Sequence, residues 1–418
     1  MSRRAPLVVL ALLLVALAGA LVVAVPWTPL PGADLQPDAA RDFTAAQLAR
    51  EVAFHAALRP TSYASLVLGL VVVSVLGLTR LGARLVRAAA RPLGGGWMWQ
   101  VVLGTLAVTV VVRLATLPLR ARSETVLREY GLSTQTWGSW GLDVVRGVLV
   151  DAGLSALALL ALVGIARLAR RTWWAWGAGA TAALVVAGSF AYPLVVEPVF
   201  NSFTSLPDGP LRTEVLALAE RDGVPVDDVL VADASRRTTA LNAYVSGFGS
   251  SRRVVLYDTL VEQATPQEVA LVVAHELGHA DEDDVLVGTL LGALGAAAAV
   301  CGLAVLLSWA PVLRRSGADG VHDPRVVPLL LALVAVGTLV VAPASNLVSR
   351  RIEARADVHS LDLTRDPQVF ADSQRRLALS NLSDLEPHPF AYVLFSTHPT
   401  TTERLAMVRE WERLRGDG

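Results

Sequence analysis

The chain of 418 residues has no lysine and a single cysteine, and only 17% of its residues are charged. One cysteine cannot form an internal disulfide, so the fold does not depend on an oxidising compartment. The formal net charge of −1, without a basic face or arm, argues against binding of nucleic acid. Soluble domains carry about 25% charged residues. A chain that is 53% hydrophobic therefore needs another place for its apolar surface, and a lipid bilayer is the simplest.

Seven apolar runs are long enough to cross about 30 Å of hydrocarbon. Tryptophans lie at or near their ends, where amphipathic rings settle at the level of the lipid headgroups. Asp151 interrupts the fourth run, which is the weakest. The first run is too long for a signal peptide and is followed by a poor cleavage site, Pro26-Trp27, so we expect a retained anchor. The predicted spans are 7–26, 60–79, 95–113, 147–166, 173–196, 285–312 and 326–349.

These spans predict a mainly α, multi-pass membrane protein in four parts. Residues 1–196 form a membrane bundle of spans one to five. Residues 197–284 form a more polar region with mixed helix and strand patterns. Residues 285–349 hold spans six and seven, and residues 350–418 form a polar tail.

The polar region combines a small β element with a well-marked helix start. Residues 210–221 have helical spacing of apolar residues, and 229–231 and 254–257 are typical of strands. Thr265 can cap a helix, Pro266 suits its first position, and Glu268 can complete a capping box. The predicted helix leads directly into the sequence His-Glu-Leu-Gly-His at 275–279.

His275 and His279 are four residues apart and share one helical face, so they can bind one metal ion together. Glu276 is close enough to act as a general base toward a water molecule on that metal. Zinc suits two imidazoles and leaves positions open for substrate. The alternative is a surface helix with two solvated histidines. The apolar residues before the motif disfavour it, because they indicate a buried helix and buried histidines need partners.

A catalytic zinc ion usually has three protein ligands, and Glu353 is the candidate for the third. It follows the seventh span and lies four residues before Asp357, so both carboxylates share a helical face. Asp357 could then accept a hydrogen bond from a histidine ligand. Since arginines flank both residues, the spacing alone leaves a solvated charged face equally open.

The order and separation of these motifs resemble the integral-membrane zinc peptidase family that includes the type I CAAX prenyl proteases and the bacterial HtpX-like proteases. The first motif is closer to the CAAX protease branch, and the first half of the chain resembles the family only in its hydrophobic spans. The matching segments are 242–244 with 247–249 and 254–260, then 275–279, 353–357, His398-Pro399 with Glu403-Arg404, and the entry segment 198–207.

This resemblance implies about seven transmembrane helices around a chamber, capped by a gluzincin-type zinc metallopeptidase region. It implies one Zn²⁺ per chain and a peptide or protein substrate. The implied roles are zinc ligands for His275, His279 and Glu353, general base for Glu276, support of a ligand for Asp357, oxyanion stabilisation for His398 and Arg404, and contact with substrate for Asn242.

Several charged or titratable residues lie outside this pattern. The acidic run 280–284 stands where relatives often have basic residues, and acidic charge at a helix end opposes the helix dipole. We therefore expect the helix to end early there or the acids to face water. Arg113 and Asp151 either line the chamber or mark span ends misplaced by a few residues. The histidines without ligand spacing, predicted to be loop or surface residues, are His55, His322, His359 and His388.

The predicted function is that of a zinc-dependent endopeptidase of the membrane, acting near the C-terminus of lipidated or membrane-associated proteins. Quality control of misfolded membrane proteins, as in HtpX-like proteases, is the alternative. A non-catalytic zinc-bearing scaffold is disfavoured, because a structural site needs no Glu276. Membrane lipids are the other expected partner, nucleic acid is not expected, and the oligomeric state is open.

The side of the membrane that holds the site is open too. Seven spans place the metal motif and the N-terminus on opposite sides of what we expect to be the cell membrane. The short segments on the N-terminal side hold twelve arginines against six on the other side. Arginine-rich short loops are cytoplasmic, which places the site outside the cytoplasm. The family resemblance implies the reverse.

Overall fold

The computed structural model describes residues 3–247 and 252–415. Four β-strands in these ranges are β1 (Phe203–Ser205), β2 (Asp228–Ala232), β3 (Ala243–Ser246) and β4 (Arg253–Tyr257). The α-helices are α1 (Arg4–Ala24), α2 (Ala39–Asp42), α3 (Ala45–Leu78), α4 (Arg80–Ala90), α5 (Trp97–Glu129), α6 (Trp137–Leu168), α7 (Trp173–Val195), α8 (Glu197–Phe200), α9 (Pro210–Asp222), α10 (Asp258–Gln263), α11 (Pro266–Asp281), α12 (Asp284–Leu307), α13 (Ala310–Ser316), α14 (Val327–Thr364), α15 (Pro367–Asn381), α16 (Pro389–Phe395) and α17 (Thr401–Arg415).

Seven of the helices described are long and apolar enough to cross a membrane, which confirms the predicted number of spans. They are α1, α3, α5, α6, α7, α12 and α14, and the doubtful fourth span is the continuous helix α6. Four of them, α3, α5, α6 and α14, are much longer than their apolar runs. The helix α3 begins at Ala45, where Thr44 and Gln47 form a capping box, α5 continues to Glu129, and α14 continues to Thr364.

The helical extensions and the polar region lie on one face of the membrane bundle. The guanidinium of Arg409 in α17 donates to the carboxylate of Asp42 in α2 at 2.9 Å, which joins the tail to the segment after the first span. On the opposite face, Arg3 donates to the carbonyl oxygen of Ser308 at the end of the sixth span, at 3.3 Å. The polar region and the N-terminus therefore lie on opposite faces, as seven crossings require.

A four-stranded sheet in the order β1-β2-β4-β3 forms part of the polar region. The predicted strands are β2 and β4, which pair in parallel, while β1 and β3 pair antiparallel to them. Val254 and Leu256 of β4 pack in one core with Val273 and Leu277 of α11. The strand β3 is at an edge of the sheet. Phe248 and Gly249, part of a family-like segment, lie outside the described residues.

The helix α11 starts where the capping signals predict. The backbone N–H of Thr265 donates to the Glu268 carboxylate at 2.7 Å, and the Glu268 N–H donates to the Thr265 hydroxyl at 3.3 Å. The helix packs closely along α14, because a Cβ atom at Gly278 would lie only 3.0 Å from Cβ of His359. The glycine of the motif thus allows α11 and α14 to approach each other closely.

Candidate metal centre

Three side chains from α11 and α14 converge on one point. Nε2 of His275 lies 3.2 Å from Oε2 of Glu353 and 3.3 Å from Nε2 of His279. Nε2 of His279 lies 3.7 Å from Oε1 of Glu353. One ligand atom from each residue lies within 4.8 Å of the others. A single cation can therefore contact all three, and two imidazoles with one carboxylate form a donor set that suits zinc.

The far side of each imidazole contacts a carboxylate. Nδ1 of His275 lies 2.9 Å from Oδ1 of Asp357, and Nδ1 of His279 lies 2.9 Å from Oδ2 of Asp284. A carboxylate beside Nδ1 favours the tautomer that has its proton there, which leaves Nε2 free as a metal ligand. Both histidines are thus oriented with their free lone pairs toward the same position.

The role of Asp284 was not predicted. As expected, α11 ends early in the acidic run, at Asp281, and Asp283 takes a left-handed backbone conformation with φ 51° before α12 begins. The expectation that the acids face water is wrong for Asp284, whose side chain is only 10% exposed. The turn brings it back against His279, and Arg355 of α14 pairs with it on the other side.

The electrostatics of the site favour a positive charge between these groups. Burial lowers the pKa of His275, but its hydrogen bonds to Asp357 and Glu353 outweigh that effect and raise the pKa to about 10. A divalent cation at this position would be stabilised by the same carboxylates, Asp357 and Glu353. Burial also raises the pKa of Glu276, against the nearby histidines, which lower it. A carboxylate with a raised pKa is a better proton acceptor near neutral pH.

A cleft passes over the metal centre. On one side a cavity of about 460 Å³ is lined by Asn242, Glu276, His398 and Arg404. On the other side a cavity of about 250 Å³ is lined by Val245 of the edge strand and again by Glu276. The backbone of Val245 also forms a hydrogen bond with the Glu276 carboxylate. Glu276 therefore lies between two cavities beside the edge strand β3, where an extended peptide could bind.

Comparisons with known proteins agree with this geometry. The profile of peptidase family M48 matches residues 205–412, and the profile of the CAAX prenyl protease N-terminal region, with five membrane helices, matches residues 37–202. The chain is 30% identical over 308 residues to the uncharacterized metalloprotease YhfN of Bacillus subtilis (strain 168), covering 73% of this chain and 72% of that protein. This chain belongs to peptidase family M48.

Other M48 relatives extend the likeness over most of the molecule. The CAAX prenyl protease 1 homolog of Oryza sativa subsp. japonica is 30% identical over 329 residues, covering 74% of each chain. The crystal structure of S. mikatae Ste24p shares the fold, with a TM-score of 0.78 at 20% identity over 96% of this chain and 98% of that one. The predicted family and fold class are confirmed, and the protein is a multi-pass integral membrane metalloprotease.

Two further residues, His398 and Arg404, border the metal centre, as the resemblance implies. Nε2 of His398 lies 3.3 Å from Oε2 of Glu353, and the imidazole is exposed on the side of the cleft. Nε of Arg404 donates to Oδ2 of Asp357 at 2.8 Å, and its Nη2 bonds the other carboxylate oxygen. The same Nη2 lies 3.5 Å from Nδ1 of His275. Arg404 therefore holds the carboxylate that orients the first histidine.

The loop with His398 is braced by Arg350, Tyr392 and Glu403, of which only Glu403 belongs to a motif noted in the sequence. Arg350 of α14 is buried and donates to the carbonyl oxygens of Tyr392 and Ser396, at 3.2 and 2.6 Å. The Tyr392 hydroxyl donates to Glu403 at 2.6 Å, and this carboxylate also accepts from the backbone N–H of Thr400. The short segment between α16 and α17 is thus fixed on both sides of the histidine.

Two histidines predicted to be loop or surface residues are instead partly buried in helices. His359 of α14 contacts the carboxylate of Asp222 at 2.9 Å, which joins α14 to the end of α9. His55 of α3 contacts the carbonyl oxygen of Leu382 at 2.9 Å and Glu51 at 3.3 Å. The prediction failed because these partners are distant in sequence. The prediction for His322 and His388, which lie in a turn and a loop, is confirmed.

Proposed function

We propose that this protein is a zinc-dependent endopeptidase of the membrane, with His275, His279 and Glu353 as the ligands of one Zn²⁺. The observation that supports this best is the orientation of both imidazoles. Each has its Nδ1 against a carboxylate and its Nε2 toward the shared position, next to Glu353. A structural zinc site is usually closed by four protein ligands, whereas this arrangement leaves one side open to the cleft.

Glu276 is proposed as the general base. A zinc ion held at this site would polarise the scissile carbonyl and lower the pKa of water to about 7. The Glu276 carboxylate lies between the two cavities of the cleft and takes the proton of the attacking water. It then returns that proton to the departing amine nitrogen, for which its raised pKa suits it.

The remaining site residues are proposed to bind substrate and developing charge. His398 lies over the cleft beside Glu353, where its imidazole N–H can donate to the oxyanion of the tetrahedral intermediate. Arg404 adds positive charge from behind while it holds Asp357. Asn242 lines the same cavity directly before β3, so we propose that it contacts the substrate backbone.

The proposed substrates are membrane-associated proteins cleaved near a lipidated C-terminus. The names of several relatives, CAAX prenyl protease 1 and its homologs, support this substrate class. The location of the cleft supports it too. The helix α3 crosses from the membrane bundle to the polar region, and its Arg59 pairs with Asp384, a residue of the cleft wall.

The test uses the full chain in nanodiscs with a prenylated C-terminal peptide, the same peptide without its lipid, and an unfolded membrane protein. We expect one zinc per chain and preferential cleavage of the prenylated peptide. Glu276→Gln should keep the zinc and lose cleavage by at least about 10²–10⁴-fold, because only the base is removed. Full activity of this variant contradicts the mechanism. Equal cleavage of all three substrates favours quality control, and zinc without any cleavage favours a scaffold.

We further propose that the metal centre faces the side of the membrane away from the cytoplasm, because the arginine-rich short segments lie on the opposite face. The test replaces Cys301 and places single cysteines at Arg84, in α4, and at Gln267, an exposed residue at the start of α11. A membrane-impermeant thiol reagent applied to intact cells should label position 267 and not 84. The reverse pattern would place the site in the cytoplasm.

A further inference from the structure

A second large cavity lies within the membrane bundle. It is an open hollow with a volume of about 540 Å³, lined by residues of α3, α5, α6 and α14. Its wall is largely apolar, with Leu66, Val73, Val108 and Leu331 among the residues that line it. A volume of 300–1,000 Å³ is typical of sites for small molecules. The cavity is therefore large enough for a ligand with an apolar chain.

Charged side chains line the same cavity. Nη2 of Arg113 donates to Oδ2 of Asp151 at 3.0 Å, which joins α5 to α6. Both residues therefore line a cavity, which is one of the two alternatives that the sequence left open. Arg120 lines it as well, and no carboxylate among residues 3–247 and 252–415 lies within 4.0 Å of its guanidinium. Two arginines against one carboxylate leave a net positive charge.

Charged side chains on membrane helices usually face a partner or a water-filled cavity and often mark a functional site, and here the guanidinium of Arg120 is exposed in the open cavity. The hydroxyls of Ser62 and Thr116 line the cavity as well, but they donate to the carbonyl oxygens of Leu58 and Val112 in their own helices, so the arginines are the donors available to a ligand. A cation would be repelled by the excess positive charge, and a neutral apolar molecule would leave Arg120 without a partner. An anionic headgroup with an apolar chain satisfies both parts of the wall.

The cavity lies close to the catalytic cleft. Ser62 of the cavity wall is three residues along α3 from Arg59, a rise of about 5 Å. Arg59 pairs with Asp384, which lines the cleft. One turn further along α3, the ring of Tyr63 stacks on Phe395, another residue of the cleft wall, with ring centroids 5.6 Å apart. About one helical turn of α3 thus separates the membrane cavity from the cleft.

We propose that this cavity binds an anionic amphiphile, with its hydrocarbon chain along the apolar wall and its carboxylate or phosphate at Arg113 and Arg120. The ligand chemistry is that of a free fatty acid or an anionic phospholipid. The site is distinct from the metal centre, and the proposal does not depend on the peptidase reaction.

Binding is measured on the full chain in neutral detergent with oleate, with oleyl alcohol as the matched neutral probe, and with phosphatidylglycerol. The wild-type chain should bind one oleate or one phosphatidylglycerol and bind oleyl alcohol at least about tenfold more weakly. Preference between the two anions identifies the source of the headgroup. Equal binding of oleate and oleyl alcohol overturns the proposal.

The variants test the charge argument in both directions. Arg120→Gln should weaken oleate binding about tenfold, whereas Asp151→Asn should strengthen it, because it removes the opposing negative charge. Arg122→Gln on the same helix is the control, since Arg122 is half exposed and pairs with Glu129. If Asp151→Asn weakens binding as much as Arg120→Gln, the arginine–aspartate pair is only structural and the proposal fails.

The zinc content of each purified variant reports whether it is folded. A second measurement uses the wild-type chain alone. A photoreactive fatty acid should crosslink to the wild-type chain within the segments 62–73 or 108–120, and excess oleate should suppress that labelling. Crosslinks confined to the outer faces of α1 or α7 would show that the amphiphile binds as ordinary surrounding lipid, and would overturn the proposal.

Discussion

The metal centre and a second cluster, Glu51, His55 and Asp384, look alike in composition. In each, two residues four apart on a helix meet a carboxylate from a distant element, and the potential ligand atoms all lie within 4.8 Å. By residue type and distance alone, both could hold a cation.

Their hydrogen bonds separate them. At the metal centre, Asp357 and Asp284 take the Nδ1 sides of the histidines and leave both Nε2 atoms free. At the second cluster, Nε2 of His55 contacts the carbonyl oxygen of Leu382, and Arg59 pairs with Asp384. The ligand atoms there are already occupied. What distinguishes a metal site is which nitrogen the surrounding carboxylates leave free, and the second cluster instead ties α3 to the loop after α15.

The largest expected contrast is in metal content. Glu353→Ala should purify with little or no zinc and no activity, because it removes one of the three proposed ligands. Asp384→Asn, the corresponding change in the second cluster, should keep one zinc per chain. Metal analysis of the two purified variants measures the difference. A full complement of zinc in the Glu353 variant would mean that the third ligand lies elsewhere.

The next effect concerns turnover without metal loss. His398→Ala should slow cleavage by about 10²–10³-fold, as expected for loss of one group that stabilises the oxyanion. Zinc content should stay at one, because this histidine contacts Glu353 from the open side of the site. His388→Ala is the control, since this residue lies exposed at the start of α16. Cleavage at the wild-type rate by the His398 variant would leave the tail motif with a structural role only.

A smaller effect tests the carboxylates behind the histidines. Asp284→Asn and Asp357→Asn should each weaken zinc affinity by about 10–100-fold, because the amide no longer accepts as strongly from the Nδ1 proton. Asp283→Asn is the control, since the carboxylate of Asp283 is 56% exposed and pairs with Arg252. Competition with a chelator measures the affinities. If Asp284→Asn binds zinc as the wild-type chain does, that carboxylate does not orient His279.

The contrast between Asp357 and Asp284 shows how far sequence reasoning reaches. For Asp357, the helical spacing from Glu353 predicted its face, and the family resemblance supplied its role, since the spacing alone left a solvated charged face equally open. Asp284 was not predicted, because its approach to His279 depends on a break between two helices and on the positive φ of Asp283, which no periodicity encodes. Local signals such as the capping box at Thr265 were sufficient to predict the helix α11. Contacts between residues far apart in the sequence could not be predicted in this way.

The same limit applies to the membrane helices. Apolar runs predicted the number of spans and their centres, since hydrocarbon thickness sets a minimum apolar length. They did not predict that α3 and α14 continue as polar helices into the metalloprotease region. Outside the bilayer a helix needs only caps and packing partners, so its polar turns have no hydropathy signature. His55 and His359 lie in those polar turns, which is why both were predicted as surface residues.

The smallest expected effect is on the second cluster itself. His55→Ala should leave zinc content and the turnover of bound substrate unchanged, yet it should lower stability by about 1–3 kcal/mol, because the partly buried carbonyl oxygen of Leu382 loses its donor. Leu382 ends α15 in a left-handed conformation with φ 47°, so this contact also restrains a strained backbone position beside the cleft. Thermal unfolding in detergent, compared with the wild-type chain, measures the loss. If His55→Ala instead lowers the zinc stoichiometry or removes a second equivalent of bound metal, the second cluster is itself a cation site and the contrast with the metal centre fails.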